Sequence, residues 1–235
     1  MLLSNEEKKI IRTELHDFIN KNCIFRCHPL VSYYENCEPG KLYNSYPSKN
    51  KPTYQFYSRR LTHNGKMLLY LVALFMDDLV KKINAGEESE NVQFAGLETS
   101  SIPIMIGMQQ YAASHKIFLN TFSIRKERKN YGLFNFVDGI PSDGPVIIVD
   151  DVLNSGGTVS RCLDLCEYEL DLKPANNVYT IIKFKPEVNF LKYKDKDLNL
   201  FSPFSLSEFD VNYNPDLYWF PKDCDKSYNK RPDYK

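Results

Sequence analysis

Between residues 92 and 184, short apolar runs alternate with helical segments, and this alternation restricts the fold more than any other feature. The apolar runs are of strand length, and the segments between them are long enough for helices of about twelve residues. Such alternation is typical of βαβ units, whose parallel strands are buried on both faces. We therefore predict an α/β fold with a Rossmann-like parallel sheet flanked by helices. The predicted strands are 92–97, 117–124, 146–151 and 177–184, and the helices begin at Pro103 and near Thr158.

The region before the sheet contains two further predicted helices. Ser4 and Glu7 form a capping-box pattern, which predicts a helix that ends near Asn20. A second, more apolar helix is expected from about Asn64 to Ile83. The sequence divides into an N-terminal segment at 1–60, an α/β core at 61–185 and an aromatic-rich extension at 186–235.

Charge and hydropathy exclude several classes of protein. The formal net charge is zero, so no global basic field attracts nucleic acid, and any basic site must be local. The longest apolar run, residues 68–76, is far shorter than the roughly 20 residues of a membrane span. The N-terminus does not resemble a signal peptide. We expect a cytoplasmic protein that binds neither membranes nor nucleic acid.

Three polar segments are predicted at the carboxyl ends of the strands, where ligands bind in parallel α/β sheets. They are ETSS at 98–101, RKERKNYG at 125–132 and DDVLNSGGT at 150–158. The last segment pairs two carboxylates with a flexible turn into a helix. The backbone N–H groups of residues 154–158, together with the helix N-terminus, suit a phosphate monoester. Carboxylates would repel that phosphate, so Asp150 and Asp151 suit nearby hydroxyl groups or a metal ion.

A ribose 5-phosphate satisfies both halves of this segment, because it carries a phosphate at one end and a diol close by. The alternative is an ordinary strand end and glycine turn without a ligand. The basic segment also has two interpretations. Arg125, Lys126, Arg128 and Lys129 lie in a connection of roughly twenty residues, a length typical of a functional lid. The alternative is that these residues are simply a stretch of charged side chains exposed to solvent.

The acid pair and glycine turn resemble the ribose-phosphate signature of the type I phosphoribosyltransferases, which use 5-phosphoribosyl 1-diphosphate (PRPP). RKERKNYG looks like the mobile-loop motif R-K-E-x-K-x-H-G of orotate phosphoribosyltransferase. The segment from Thr53 to Leu79 is similar to the base-binding strand and helix of that enzyme. The resemblance covers about residues 50–184, and it departs from the family at Asn154, at Tyr131 in place of the loop histidine, and at Ser100 in place of a lysine.

The resemblance implies the type I phosphoribosyltransferase fold with a small base-binding hood from the N-terminal region and possibly the C-terminal tail. It also implies Mg²⁺ bound through PRPP near the acid pair, and a homodimer whose lid reaches the neighbouring subunit. The implied catalytic residues are Asp150, Asp151, Lys129, Arg125 and Lys126, with Lys129 as the principal catalytic cation. The implied PRPP-binding residues are Ser100, Ser101, Asn154, Ser155, Gly156, Gly157 and Thr158, and the base-binding residues are Phe56 and Trp219.

The expected function is a pentosyltransferase that moves the 5-phosphoribosyl group from PRPP to a nucleobase, with orotate favoured and diphosphate released. This reaction belongs to pyrimidine nucleotide biosynthesis. Two alternatives stay open at this point. One is a purine-type transferase with Trp219 as the base platform. The other is a PRPP-binding regulatory protein without turnover, which the departures at Ser100 and Tyr131 favour.

Overall fold

The computed structural model describes residues 2–32, 38–41, 53–126 and 135–218. The chain divides into two units: Met1–His16 with Thr62–Glu208, and Asp17–Leu61 with Phe209–Lys235. These boundaries differ from the three segments expected from the sequence, and those segments stay a prediction. The described helices are α1 Asn5–Phe18, α2 Arg59–Thr62, α3 Gly65–Asn84, α4 Ile102–Ser114 and α5 Gly157–Leu170. The described strands are β1 Ile24–Arg26, β2 Tyr54–Phe56, β3 Gln93–Leu97, β4 Asn120–Ile124, β5 Val137–Asp138, β6 Val146–Leu153, β7 Pro174–Lys183, β8 Phe190–Tyr193, β9 Lys196–Phe201 and β10 Phe204–Ser205.

Helix starts follow the local sequence. At α1 the Ser4 hydroxyl accepts the Glu7 N–H at 3.2 Å, and the Glu7 carboxylate accepts the Ser4 N–H at 2.8 Å. This is the predicted capping box. At α3 the Asn64 side chain accepts the Met67 N–H at 3.1 Å, which satisfies a donor that has no partner within the helix.

The predicted parallel sheet is confirmed. Among the described residues it has eight strands in the order β5-β4-β3-β6-β7-β9-β8, with β10 also paired to β7. β3 is parallel to both β4 and β6, and β7 is parallel to both β6 and β9. β5 and β8 pair antiparallel to β4 and β9. The sheet continues beyond residue 186 through β8, β9 and β10, which the sequence pattern did not predict.

The core of the larger unit lies between the sheet and α5. Buried side chains from both sides meet there, including Ala95, Phe122, Ile148, Val159, Cys162, Cys166, Val178, Leu191 and Leu198. The β8–β9 hairpin contributes Leu191, Tyr193 and Leu198 to this core. Apolar burial on this scale is the main favourable term in folding, so it holds the start of α5 in a fixed position at the end of β6.

The smaller unit contains the antiparallel pair of β1 and β2, in which Ile24 faces Phe56. Arg26 of β1 is fully buried and donates hydrogen bonds to the carbonyl oxygens of Asn20, Ile24 and Asp210. Its charge is therefore compensated by backbone dipoles within this unit. Within the described part of the chain, no helix combines the length and the apolar character that a bilayer span requires.

Candidate active site

The acid pair lies inside β6 and not at its end. The sequence predicted a strand that stops at Asp151, but β6 extends to Leu153 because Val152 and Leu153 still pair with β7. On the opposite side, the pairing with β3 ends at Ile148. Asp150 and Asp151 therefore lie beyond the paired part of β3, toward the carboxyl edge of the sheet, where the sequence predicted a ligand.

Asp150 is a carboxyl group in an unfavourable environment. It is only 7% exposed, and its Oδ1 accepts the backbone N–H of Asp151 at 2.9 Å. Burial raises the pKa of Asp150 well above its ordinary value, and the neighbouring charge of Asp151 raises it further. A hydroxyl donor or a cation beside it would stabilise its ionised form. Carboxyl groups with perturbed pKa values at a sheet edge are typical of functional sites.

The turn after β6 presents helix amides to the same edge. Gly156 has φ +79°, a left-handed conformation that favours glycine, and α5 begins at Gly157. The Ser160 N–H bonds to the Gly156 carbonyl at 2.9 Å. Because the first N–H groups of a helix have no acceptor within it, those at the start of α5 are oriented for an anion. Gly156 has positive φ, whereas Gly157 does not.

The turn is supported from behind by the β8–β9 hairpin. A Cβ atom added to Gly156 would lie 2.2 Å from Leu191 Cδ1. The Tyr193 hydroxyl fixes the hairpin to α5, since its oxygen lies 2.9 Å from Asp164 Oδ1 and 2.7 Å from Glu167 Oε2 and its one proton is shared between these two acceptors. The sequence analysis did not predict this support, although the alternation of apolar and charged residues from Leu191 to Lys194 is a signal that could have found it.

The turn after β3 places the two predicted serines in different environments. Ser100 is half-buried, whereas Ser101 is fully buried and its hydroxyl donates to the Leu97 carbonyl at 2.7 Å. Ser101 also lies against Gly96, where an added Cβ would approach the serine side chain to 2.4 Å. The Ser101 hydroxyl is therefore part of the strand–helix junction, and the PRPP contacts of Ser100 and Ser101 stay predictions.

The start of the basic segment is tied to its neighbours. Arg125 forms ion pairs with Glu98, at 3.4 Å, and with Asp138. Lys126 has an exposed side chain, and its N–H donates to Glu98 Oε1 at 3.2 Å. Its carbonyl accepts a bond from Arg161 of α5. The structure thus places the described start of the basic segment, Arg125 and Lys126, between Glu98 of the turn after β3 and Arg161 of α5. The functional roles of their residues stay predictions.

Four further residues of the sequence analysis lie in the smaller unit or outside the described residues. Phe56 lies in β2 of the smaller unit, where it is 9% exposed. Lys129, Tyr131 and Trp219 lie outside the described residues. In contrast, Glu98, Asp138 and Arg161 were not singled out in the sequence, because nothing in their local pattern indicates which partner each one meets.

The acid pair is compatible with a magnesium ion that arrives with its substrate. Mg²⁺ prefers oxygen ligands and is usually held by one or two carboxylates together with substrate phosphates. Asp150 and Asp151 supply carboxylates of this kind. No group of three or more His, Cys, Asp or Glu side chains that could hold a metal occurs in the described ranges.

Comparison with known proteins gives relatives of one kind. The chain is 34% identical over 87 residues to the orotate phosphoribosyltransferase of Methanococcus maripaludis. This match covers 37% of this chain and 44% of that protein. It is 29% identical over 117 residues to the orotate phosphoribosyltransferase of Methanocaldococcus jannaschii, or 49% of this chain and 59% of that protein. The matches thus span about half the length of these relatives. No family model matches the chain.

Solved structures agree on the fold. A phosphoribosyltransferase from Corynebacterium diphtheriae superposes with a TM-score of 0.58 at 15% identity, over 85% of this chain and 98% of that chain. Adenine phosphoribosyltransferase from Trypanosoma brucei gives 0.56 at 12% identity, over 87% and 84% of the two chains. Mycobacterium tuberculosis orotate phosphoribosyltransferase in complex with PRPP gives 0.51 at 10% identity, over 88% and 94%. The chain therefore has the type I phosphoribosyltransferase fold, and over part of its length its sequence is similar to orotate phosphoribosyltransferases.

Proposed function

We propose that this protein transfers the 5-phosphoribosyl group of PRPP to a nucleobase and releases diphosphate. The observation that carries the proposal is the end of β6, where a buried acid pair is followed by a left-handed glycine and the amide end of α5. An anion site beside two carboxylates suits a sugar that has a phosphate on one carbon and free hydroxyl groups on its neighbours.

The proposed roles follow from charge. The amides of residues 154–158 hold the 5-phosphate, and Asp150 and Asp151 accept hydrogen bonds from the 2- and 3-hydroxyl groups of the ribose. A ring nitrogen of the base forms the new bond to C1 and releases its proton to solvent, while the C1–oxygen bond breaks with its electron pair on diphosphate. Lys126 and Lys129 stabilise the charge that develops on that leaving group. Bound Mg²⁺ would neutralise further diphosphate charge.

Orotate is the favoured base, because the curated relatives with sequence similarity are orotate enzymes. Phe56 and Trp219 are the proposed base contacts. The proposal includes a homodimer, in which the lid of one subunit serves the site of its partner. It also includes a cytoplasmic location, since a substrate with several phosphate charges does not cross a bilayer unaided.

The test follows diphosphate release from PRPP and Mg²⁺ with orotate, uracil, adenine, guanine, hypoxanthine and xanthine. We expect turnover with orotate. Asp150→Asn and Asp151→Asn should each lower kcat/KM by about 100-fold or more, because each replaces a carboxylate beside the reacting sugar with a neutral amide. The matched control is Asp171→Asn at the exposed C-terminal end of α5. Asp171 has φ +53°, which asparagine tolerates, so this variant should keep its activity.

Other outcomes would replace the proposal with one of the alternatives. Turnover with a purine base but not with orotate would identify a purine-type transferase. PRPP binding by calorimetry without product from any base would identify a binding protein without turnover. Full activity in the variant that carries both Asp150→Asn and Asp151→Asn would remove the assigned roles of the acid pair.

A further inference from the structure

Glu98 contacts the basic segment through both of its carboxylate oxygens. Oε2 lies 3.4 Å from Arg125 Nη1, and Oε1 accepts the Lys126 N–H at 3.2 Å. The side chain is about a quarter exposed, at 26%. One carboxylate therefore holds a guanidinium group and the next backbone amide at the same time. This arrangement restrains the chain at the point where the basic segment follows β4.

Arg125 is also held from the other end of the same connection. Its second terminal nitrogen pairs with Asp138 of β5, and its backbone N–H donates to the Phe136 carbonyl at 2.8 Å. Its side chain is 18% exposed. Two carboxylates thus surround one guanidinium, so the local charge of this group of three is negative. A diphosphate would have to compete with both carboxylates for Arg125.

The backbone of Lys126 is fixed on both sides. Its N–H is bound by Glu98, and its carbonyl is bound by Arg161 in the first turns of α5. Lys126 itself has an exposed side chain. It is therefore the first cation of the segment that is oriented by the protein and open to solvent.

From these contacts we propose that Glu98 is a positioning residue that, with Arg125 and Asp138, anchors the start of the lid. In this arrangement Arg125 has an internal structural role, and the lid cations that act on diphosphate begin at Lys126. This inference rests on the proposed function. It assigns Glu98 a role and changes that of Arg125, which the resemblance in the sequence had implied to be catalytic.

The test is a double-mutant cycle on Glu98→Gln and Arg125→Gln, read as kcat and as KM for PRPP. Residues that act as one unit give effects that do not multiply. If Arg125 acts through Glu98, the double variant should be within about twofold of the more impaired single variant. If Arg125 binds diphosphate independently, the two losses will multiply, and this result would overturn the proposal.

The split between kcat and KM separates positioning from general loss of structure. An anchored lid acts on the transition state, so Glu98→Gln should lower kcat by about 10-fold or more with a smaller change in KM. Glu98→Asp, which keeps the charge on a shorter side chain, should recover part of that loss. Glu90→Gln, in the exposed connector after α3, is the matched control and should match the unsubstituted protein.

Amide hydrogen exchange in the ligand-free protein tests the anchor without any activity. The Lys126 amide should exchange at least about tenfold faster in Glu98→Ala than in the unsubstituted protein, because its acceptor is lost. Glu90→Ala should not change it. Unaltered exchange in Glu98→Ala would overturn the anchor even in an active enzyme. Faster exchange in a protein that does not bind PRPP would support the anchor and refute the proposed function instead.

Discussion

Asp150 is a buried carboxyl group next to a second carboxyl group, so its ionised form opposes folding. Burial and the charge of Asp151 raise the pKa of Asp150 above that of an unfolded chain. The folded protein therefore holds this proton more tightly than the unfolded chain does. The stability contributed by this group is complete at low pH and is lost as the pH rises through the raised pKa. At neutral pH Asp150 therefore lowers the stability of the folded protein, as functional residues often do.

We therefore predict that Asp150→Asn is more stable than the unsubstituted protein at pH 7, because the substitution removes a buried carboxylate whose ionised form opposes folding. The difference should disappear below about pH 4, where both states are protonated. Urea unfolding across this pH range measures it, with Asp171→Asn as a control that should show no such trend. Equal or lower stability of Asp150→Asn at pH 7 would mean that the Asp150 charge is compensated within the fold.

The sequence identified residues whose chemistry is local, and it missed those whose role depends on strand register. The acid pair and the glycine turn are adjacent in the chain, so their pattern indicated a sugar phosphate directly. The partnership of Glu98 with Arg125 requires that Leu97 and Ile124 be paired across β3 and β4. Asp138 joins them only because β5 returns along β4. No pattern within one segment reveals such contacts.

At the scale of elements, helices and buried strands were predictable because their apolar periodicity is strong. The short β5 and the β8–β9 hairpin were not, since β5 has only two residues and five charged residues interrupt the apolar alternation of the hairpin between residues 190 and 201. The hairpin nevertheless supports the phosphate turn, through Leu191 behind Gly156. The turn glycine is therefore constrained twice, by its positive φ and by the hairpin that packs against it.

This double constraint predicts a contrast between the two turn glycines. Gly156→Ala should lower the free energy of unfolding by about 1–3 kcal/mol or more, from backbone strain and from the clash with Leu191. It should also weaken PRPP binding. Gly157→Ala meets only Ser155 Oγ at 3.6 Å, and alanine favours a helix by up to about 1 kcal/mol, so this control should be neutral or slightly stabilising. Thermal and urea unfolding compare them, and equal losses would contradict the role of the hairpin.

At the scale of the whole molecule, the proposed reaction requires positive charge near the diphosphate, and the net charge of the protein does not provide it. Lysine and arginine equal aspartate and glutamate at 30 each, so no net field concentrates PRPP at the site. The structure ties Arg125 to carboxylates, so in our proposal the positive charge at the diphosphate comes from the remaining cations of the basic segment. If those cations come from the partner subunit, each site in the proposed homodimer depends on two chains.

Mixed dimers test this dependence. Asp150→Asn inactivates the sugar site and leaves the lid intact, whereas Lys129→Ala inactivates the lid and leaves the sugar site intact. When the two inactive variants are unfolded, mixed in equal amounts and refolded, about half of the dimers should contain one chain of each kind. A lid that acts on the partner makes one of the two sites in each mixed dimer complete. The mixture should then regain about a quarter of the unsubstituted activity. A lid that acts within its own chain leaves both sites of every dimer defective, so a mixture as inactive as its components would contradict a shared site.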